Sequence, residues 1–177
     1  MPVSLPIVAR SLILLTVFTV PALAQHATGA KGQDMIGSIE KQAWGKTADG
    51  QTAYLYTLTN RNGMTMRVSN VGCLIVSLTA PDRNGNFADV VLGYDQFDQY
   101  VTDNRHFGAV VGRYGNRIGG AQFTLDGQVH HVTANRPPNH LHGGEIGFEK
   151  VVWEAQGLVG DGRVGMKFGY RSKDGEE

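Results

Sequence analysis

The sequence predicts an all-β protein, an antiparallel β-sandwich, on three observations. Glycine is unusually frequent, 24 residues in a chain of 177 against 6 prolines, roughly twice its ordinary share. Short apolar runs recur between turn-forming dipeptides, the arrangement of strands joined by tight turns. No stretch carries a convincing amphipathic helical stripe.

The N-terminal segment stands apart from that pattern. Arg10 closes a weakly charged start, residues 11–20 read SLILLTVFTV, Pro21 breaks the run, and Ala22-Leu23-Ala24 follows. The apolar run is short for a bilayer span, and a small-x-small tripeptide after it is the cleavage pattern of a secretory signal peptide. Residues 1–24 are therefore expected to be a leader removed after Ala24, leaving no stable membrane anchor and an exported, periplasmic product. Residues 25–36 are polar and glycine-containing and read as a flexible lead. Residues 37–177 are the expected extent of a single β-sandwich domain.

Within it, residues 54–60 alternate and residues 64–70 follow, with Asn62-Gly63 between them as hairpin chemistry. Residues 71–80 form a longer apolar run that contains Gly72 and Cys73 and ends at Pro81-Asp82-Arg83-Asn84-Gly85-Asn86, a strong turn signal. A short strand is expected over 90–94, and a turn or two of helix over 95–103. Residues 122–125 and 128–132 flank Asp126-Gly127, the strongest short-range hairpin signal in the chain. Another strand is expected over 151–155. In residues 164–170 the large apolar side chains fall at every second position, so one face is apolar.

Charge is balanced at 16 basic and 16 acidic residues, which argues against a nucleic-acid partner. No protein partner is implied either. The single Cys73 cannot close an internal disulfide and reads as a buried, inert thiol.

Two blocks concentrate polar chemistry: Gly112-Arg113-Tyr114-Gly115-Asn116-Arg117-Ile118 and Asn139-His140-Leu141-His142-Gly143-Gly144. Together they offer guanidinium, amide and imidazole groups but no strong nucleophile. That donor set suits a neutral, hydroxyl-rich ligand such as a sugar, and Gly143-Gly144 suggests a ligand approaching the backbone. The plainer reading of Arg113 and Arg117 is exposed loop cations. Residues 107–112 are small and apolar, however, so they are expected to enter the interior, where an arginine needs a partner or a ligand. His140 and His142 would share one face of a strand, and His130-His131 lie nearby in sequence. No acid or cysteine ligand accompanies them, so metal binding is disfavoured. Tyr114, Phe148 and Trp153 could stack on a sugar, although each is better read as core. There is no Gly-x-Ser-x-Gly, no His-Glu-x-x-His and no phosphate-cradling loop.

From about Trp44 onward the order of blocks resembles the aldose 1-epimerase (galactose mutarotase) family. The pieces are Ser69 through Leu78, Asp89-Val90-Val91-Leu92-Gly93-Tyr94-Asp95, Phe107-Gly108 through Arg113, Asn116-Arg117-Ile118, and Phe123-Thr124-Leu125-Asp126-Gly127. Asn139-x-Leu141-His142-Gly143-Gly144, Gly147-Phe148 and Val152-Trp153 complete the series. Cys73 stands where a small residue is more usual.

The resemblance implies a large antiparallel β-sandwich that interconverts the α and β anomers of free aldoses such as galactose and glucose, with no metal or organic cofactor. It implies that Asn116 and Arg117 bind sugar hydroxyls and that His142 donates a hydrogen bond near the ring oxygen. The family's acid, a second histidine, and its base, a glutamate, would lie beyond Glu177, so no catalytic residue is assigned within the chain. On this reading the chain is the N-terminal part of a mutarotase, expected to be inactive alone and to fold poorly, with residues 164–170 an unpaired apolar edge. Two other readings stay open: a non-catalytic carbohydrate-binding β-sandwich, and an exported metal-binding module using His140 and His142.

Overall fold

A computed structural model describes residues 10–16 (backbone only), 37–103 and 105–176. Most of the expected leader and the whole 25–36 lead lie outside the described residues. The elements are strands β1 (Arg10–Thr16), β2 (Gly37–Lys46), β3 (Thr52–Asn60), β4 (Thr65–Ser69), β5 (Ile75–Pro81) and β6 (Phe87–Asp89), helix α1 (Phe97–Thr102), and strands β7 (Arg117–Ile118), β8 (Gln122–Leu125), β9 (Gln128–His131), β10 (His140–Leu141), β11 (Glu154–Gly160) and β12 (Arg163–Arg171).

A five-stranded antiparallel sheet runs β2-β3-β4-β5-β6, and a three-stranded one runs β1-β12-β11. β11 and β12 pack across β2 and β3, which makes the sandwich. Its core follows from strand alternation. On β3, Tyr56 and Leu58 join Met66 and Val68 of β4 and meet Val164, Met166 and Phe168 of β12, with Trp153 and Phe148 filling the end. Trp153 and Phe168 are fully buried, and each large side chain removed from water contributes about 1.5–3 kcal/mol. The other face of β3, Ala53 and Leu55, packs against Phe97, Val71, Leu74 and Val76. α1 seats Phe97 there, ring to ring with Trp44 at 5.4 Å.

β3, β4 and the β8–β9 hairpin lie where alternation placed them, and α1 falls inside 95–103. Several details differ. The 60–64 connection is a three-residue loop, since Asn60 accepts from Gly63 N–H and donates to Met64 O. Of the expected Asn62-Gly63 pair, only Gly63 is left-handed, at φ 81°. The strand expected at 90–94 is instead β6, one step earlier. Beyond it Val90 N–H still bonds Leu78 O at 2.9 Å, while the Asp89 carboxylate accepts the N–H groups of Leu78 and Val91, both at 3.1 Å.

Residues 71–74 turn before β5 begins, with Gly72 at φ 62° and Cys73 at φ 47°. Cys73 is buried, and burial pushes its thiol well above the ordinary range. Trp153 precedes β11, its N–H bound to Asn70 O at 2.8 Å. The strand at that end is 154–160, entered after an isolated bridge between Val71 and Val152. Residues 107–112 do not enter the interior as expected but run half-buried along the core without joining a strand, with Gly108 exposed and only Gly112 buried; Ile75 N–H bonds Gly108 O, and Val110 N–H bonds Gly72 O.

β12 is not an unpaired edge. β11 lies on one side of it and Arg10–Thr16 on the other, paired antiparallel from Arg10↔Arg171 to Thr16↔Gly165. An extended segment that offers a row of backbone donors and acceptors completes such an edge whatever its intended fate.

Candidate functional site

The two polar blocks meet. β7 pairs with β10, His140 opposite Ile118 and Leu141 opposite Arg117. Just outside this short ladder, Asn116 adopts a left-handed backbone at φ 63°, a conformation asparagine tolerates better than most residues. Its N–H donates to His142 Nδ1 at 3.0 Å, and its carbonyl accepts the His142 N–H at 3.0 Å. A neutral imidazole that accepts at Nδ1 carries its proton on Nε2, so His142 presents an N–H donor. Burial and the neighbouring His106 hold His142 below the ordinary imidazole range, which favours this neutral form. Beside it Arg117 is exposed, its Nη1 donating to Asn116 Oδ1 at 3.2 Å. Asn116, Arg117 and His142 thus form one donor-rich surface.

Glycine makes the junction possible. Gly143 lies at φ 91°, and a Cβ there would stand 1.7 Å from the Gly112 carbonyl oxygen. That carbonyl in turn accepts the Phe148 N–H at 3.1 Å. The close backbone approach expected at Gly143-Gly144 is therefore made at Gly143 by the chain's own first block and not by a ligand. Asn135 fastens the same loop. Its Nδ2 donates to Leu141 O and Gly144 O, both at 2.9 Å, and its Oδ1 accepts Leu141 N–H at 2.7 Å.

The remaining candidates separate. His140 is fully buried, its Nδ1 against Thr133 O at 2.9 Å and its Nε2 accepting Gly143 N–H at 3.2 Å. The strand ends at Leu141 and His142 turns to φ 53°, so the two histidines do not share one face. His130 stacks on Phe123 at 5.3 Å on the outer hairpin. Arg113 donates to Ser172 Oγ at 3.0 and 2.5 Å and to Lys173 O at 2.5 Å. Phe148 and Trp153 are core, while Tyr114 is exposed and packs against Phe123 and His140. Among the described residues, no three His, Cys, Asp or Glu side chains converge on a point that could hold a metal ion.

Two residues not anticipated from the sequence adjoin the site. The His106 ring meets that of His142 edge to face, centroids 4.9 Å apart. Its Nδ1 lies 4.0 Å from Glu149 Oε1. His106 and Glu149 also line a cavity of about 460 Å³ with Tyr94, Tyr100, Asp103 and Phe107. Asn116, Arg117 and His142 do not line it; His142 adjoins it through its contact with the His106 ring, and Asn116 and Arg117 are exposed. The only sequence signal for these two residues was adjacency, since His106 precedes Phe107-Gly108 and Glu149 follows Gly147-Phe148.

Fold and site together define an antiparallel β-sandwich with a donor-rich surface where its two glycine-framed loops interlock. The family model for aldose 1-epimerase matches residues 54–177, and the chain belongs to that family. It is 39% identical over 140 residues to a galactose mutarotase from Rattus norvegicus, across 79% of this chain and 40% of that protein. It is 38% identical over 129 residues to an aldose 1-epimerase from Haemophilus influenzae, across 73% of this chain and 36% of the relative. The chain therefore spans about two fifths of the length of these relatives. The crystal structure of galactose 1-epimerase from Lactobacillus acidophilus shares the fold, with a TM-score of 0.61 at 22% identity over 71% of this chain and 36% of that one.

Proposed function

We propose that this chain recognises a free aldopyranose for anomer exchange, as an aldose 1-epimerase acting on galactose- or glucose-type sugars. The observation that carries the reading is the Asn116 N–H to His142 Nδ1 bond, which leaves a neutral Nε2–H donor beside the Arg117 guanidinium. In this reading Asn116 and Arg117 bind sugar hydroxyls. His142 donates toward the ring oxygen and steadies the charge that develops there. The exchange itself removes the C1 hydroxyl proton and protonates the ring oxygen. The ring opens, the C1–C2 bond rotates, and the ring recloses with the proton transfers reversed. A small sugar is the only partner this requires.

The test is a galactose titration of the full chain, followed by the imidazole ¹⁵N signals of His142. Galactose is expected to move those signals, and Arg117→Ala to weaken the response without lowering the melting temperature, because Arg117 is exposed. His142 signals indifferent to saturating galactose would refute the reading.

The chain is further proposed to be exported to the periplasm by its first 24 residues, on the strength of the short apolar run and Ala22-Leu23-Ala24. N-terminal sequencing of the mature protein is expected to begin at Gln25. Since Arg10–Thr16 is the segment paired with β12, processing would also free that edge.

A further inference from the structure

His142 can hold the loop junction only while neutral. A protonated imidazole carries N–H on both nitrogens, so it cannot accept the Asn116 N–H, and the bond that aims the ring is lost. What surrounds the ring therefore decides whether the site exists. The groups facing it are His106 and Arg117, which disfavour its cation, and Glu149, which favours it. His106 in turn faces Lys150 and Arg136, and Glu149 faces Lys150 and His142.

Glu149 is an odd resident of this position. Its side chain is 10% exposed and that of His106 is 21% exposed. Glu149 Oε2 is buried with no hydrogen-bond partner among the described residues. Two glycines make room for it: the Glu149 carbonyl oxygen sits 2.3 Å from where a Cβ on Gly72 would be, and Oε2 sits 2.3 Å from the corresponding point on Gly147. A buried carboxyl with an unmet oxygen costs stability, yet its other oxygen faces a histidine that packs directly on His142.

We propose that His106 and Glu149 are positioning residues for His142, a pair that fixes its ring orientation and keeps its Nε2–H available to the sugar. This rests on the role given to His142 above. The chemistry follows from pairing an acid with a base. One proton held by either Glu149 or His106 leaves the pair neutral whichever of them carries it, so His142 meets no net charge across the ring contact. The ring edge of His106 limits rotation of His142, and the Glu149 carboxyl, 4.0 Å from His106 Nδ1, favours the orientation in which that nitrogen faces it.

The experiment uses the full chain with ¹⁵N-labelled histidine, comparing wild type, Glu149→Gln and His106→Asn. Asparagine suits the left-handed backbone of residue 106, φ 57°. Wild-type His142 is expected as the Nε2–H tautomer. His106→Asn is expected to raise the His142 titration midpoint and Glu149→Gln to lower it, opposite shifts that mere loosening would not give. His106→Asn is also expected to weaken galactose binding about fivefold, the scale of one net hydrogen bond. That loss should be greater near pH 6 than near pH 8, across the ordinary imidazole range. Galactose binding with a His142 midpoint that neither variant moves overturns the pair. The opposite shifts without any galactose binding uphold the pair and overturn the sugar reading instead.

Discussion

Replacing Gly143 with alanine tests whether the two loops are held in register by direct backbone contact. The new Cβ would lie 1.7 Å from the Gly112 oxygen, 2.5 Å from its carbon and 3.0 Å from Arg113 N. All three are main-chain atoms, so no side chain can swing aside. A left-handed conformation costs an L-residue about 1–2 kcal/mol, and forcing extra volume into packed structure adds about 1–3 kcal/mol. The sum, about 2–5 kcal/mol, is a large share of an ordinary domain's stability of ~5–15 kcal/mol. At a urea slope of about 2 kcal/mol per molar, the midpoint is expected to fall by about 1–2.5 M. Galactose binding should fall with it, because residues 112–116 must retreat from residues 140–144 and the Asn116–His142 bonds must stretch. Gly119→Ala is the control. Nothing lies within 4 Å of its Cβ position, and its φ is not positive, so its effect is expected within about 0.5 kcal/mol. Equal melting and equal galactose affinity in Gly143→Ala and Gly119→Ala would refute the interlock.

Three further outcomes are expected. Asn135→Ala removes the two donated bonds and one accepted bond that fasten the histidine loop; it should cost about 1–3 kcal/mol by leaving those backbone groups unmet, read in urea, and should weaken galactose binding. His140→Ala empties a fully buried site with partners on both nitrogens and should cost about 3 kcal/mol or more, a loss visible as a lowered melting temperature with or without sugar. Burial raises the Glu149 carboxyl above its ordinary value. Its contribution to folding is then fully present below the ordinary carboxylate range and is lost as pH rises through the raised value. Glu149→Gln, which has no proton to lose, should melt higher than wild type at mildly alkaline pH and show no such gain in acid; a gain that does not depend on pH would contradict the assignment.

Much of the fold was legible because its causes are local. The alternation at β3 and β4 and the Asp126-Gly127 turn act within a few residues of themselves, and those elements stand where they were expected. β2 escaped notice, and β11 was expected a few residues early, over 151–155, for a physical reason. They are partly or largely exposed, so their side chains keep little apolar period, and the partner strands supply the hydrogen bonds that make them strands. The same reasoning accounts for β12. Its apolar alternation marked it as a strand, but nothing in those residues says which segment lies on its far side.

The site divides in the same way. Residue type was enough to single out the two polar blocks, because guanidinium, amide and imidazole groups framed by glycine are chemical facts of the sequence, and the resemblance in motif order picked Asn116, Arg117 and His142 within them. Tertiary structure alone decided the tautomer of His142, which depends on a backbone N–H 26 positions away. It decided that His140 serves the core and that Gly143 accommodates Gly112. It also placed His106 and Glu149 beside His142. These are contacts between segments distant in the chain. The sequence determines which groups are available, whereas close packing decides which of them meet.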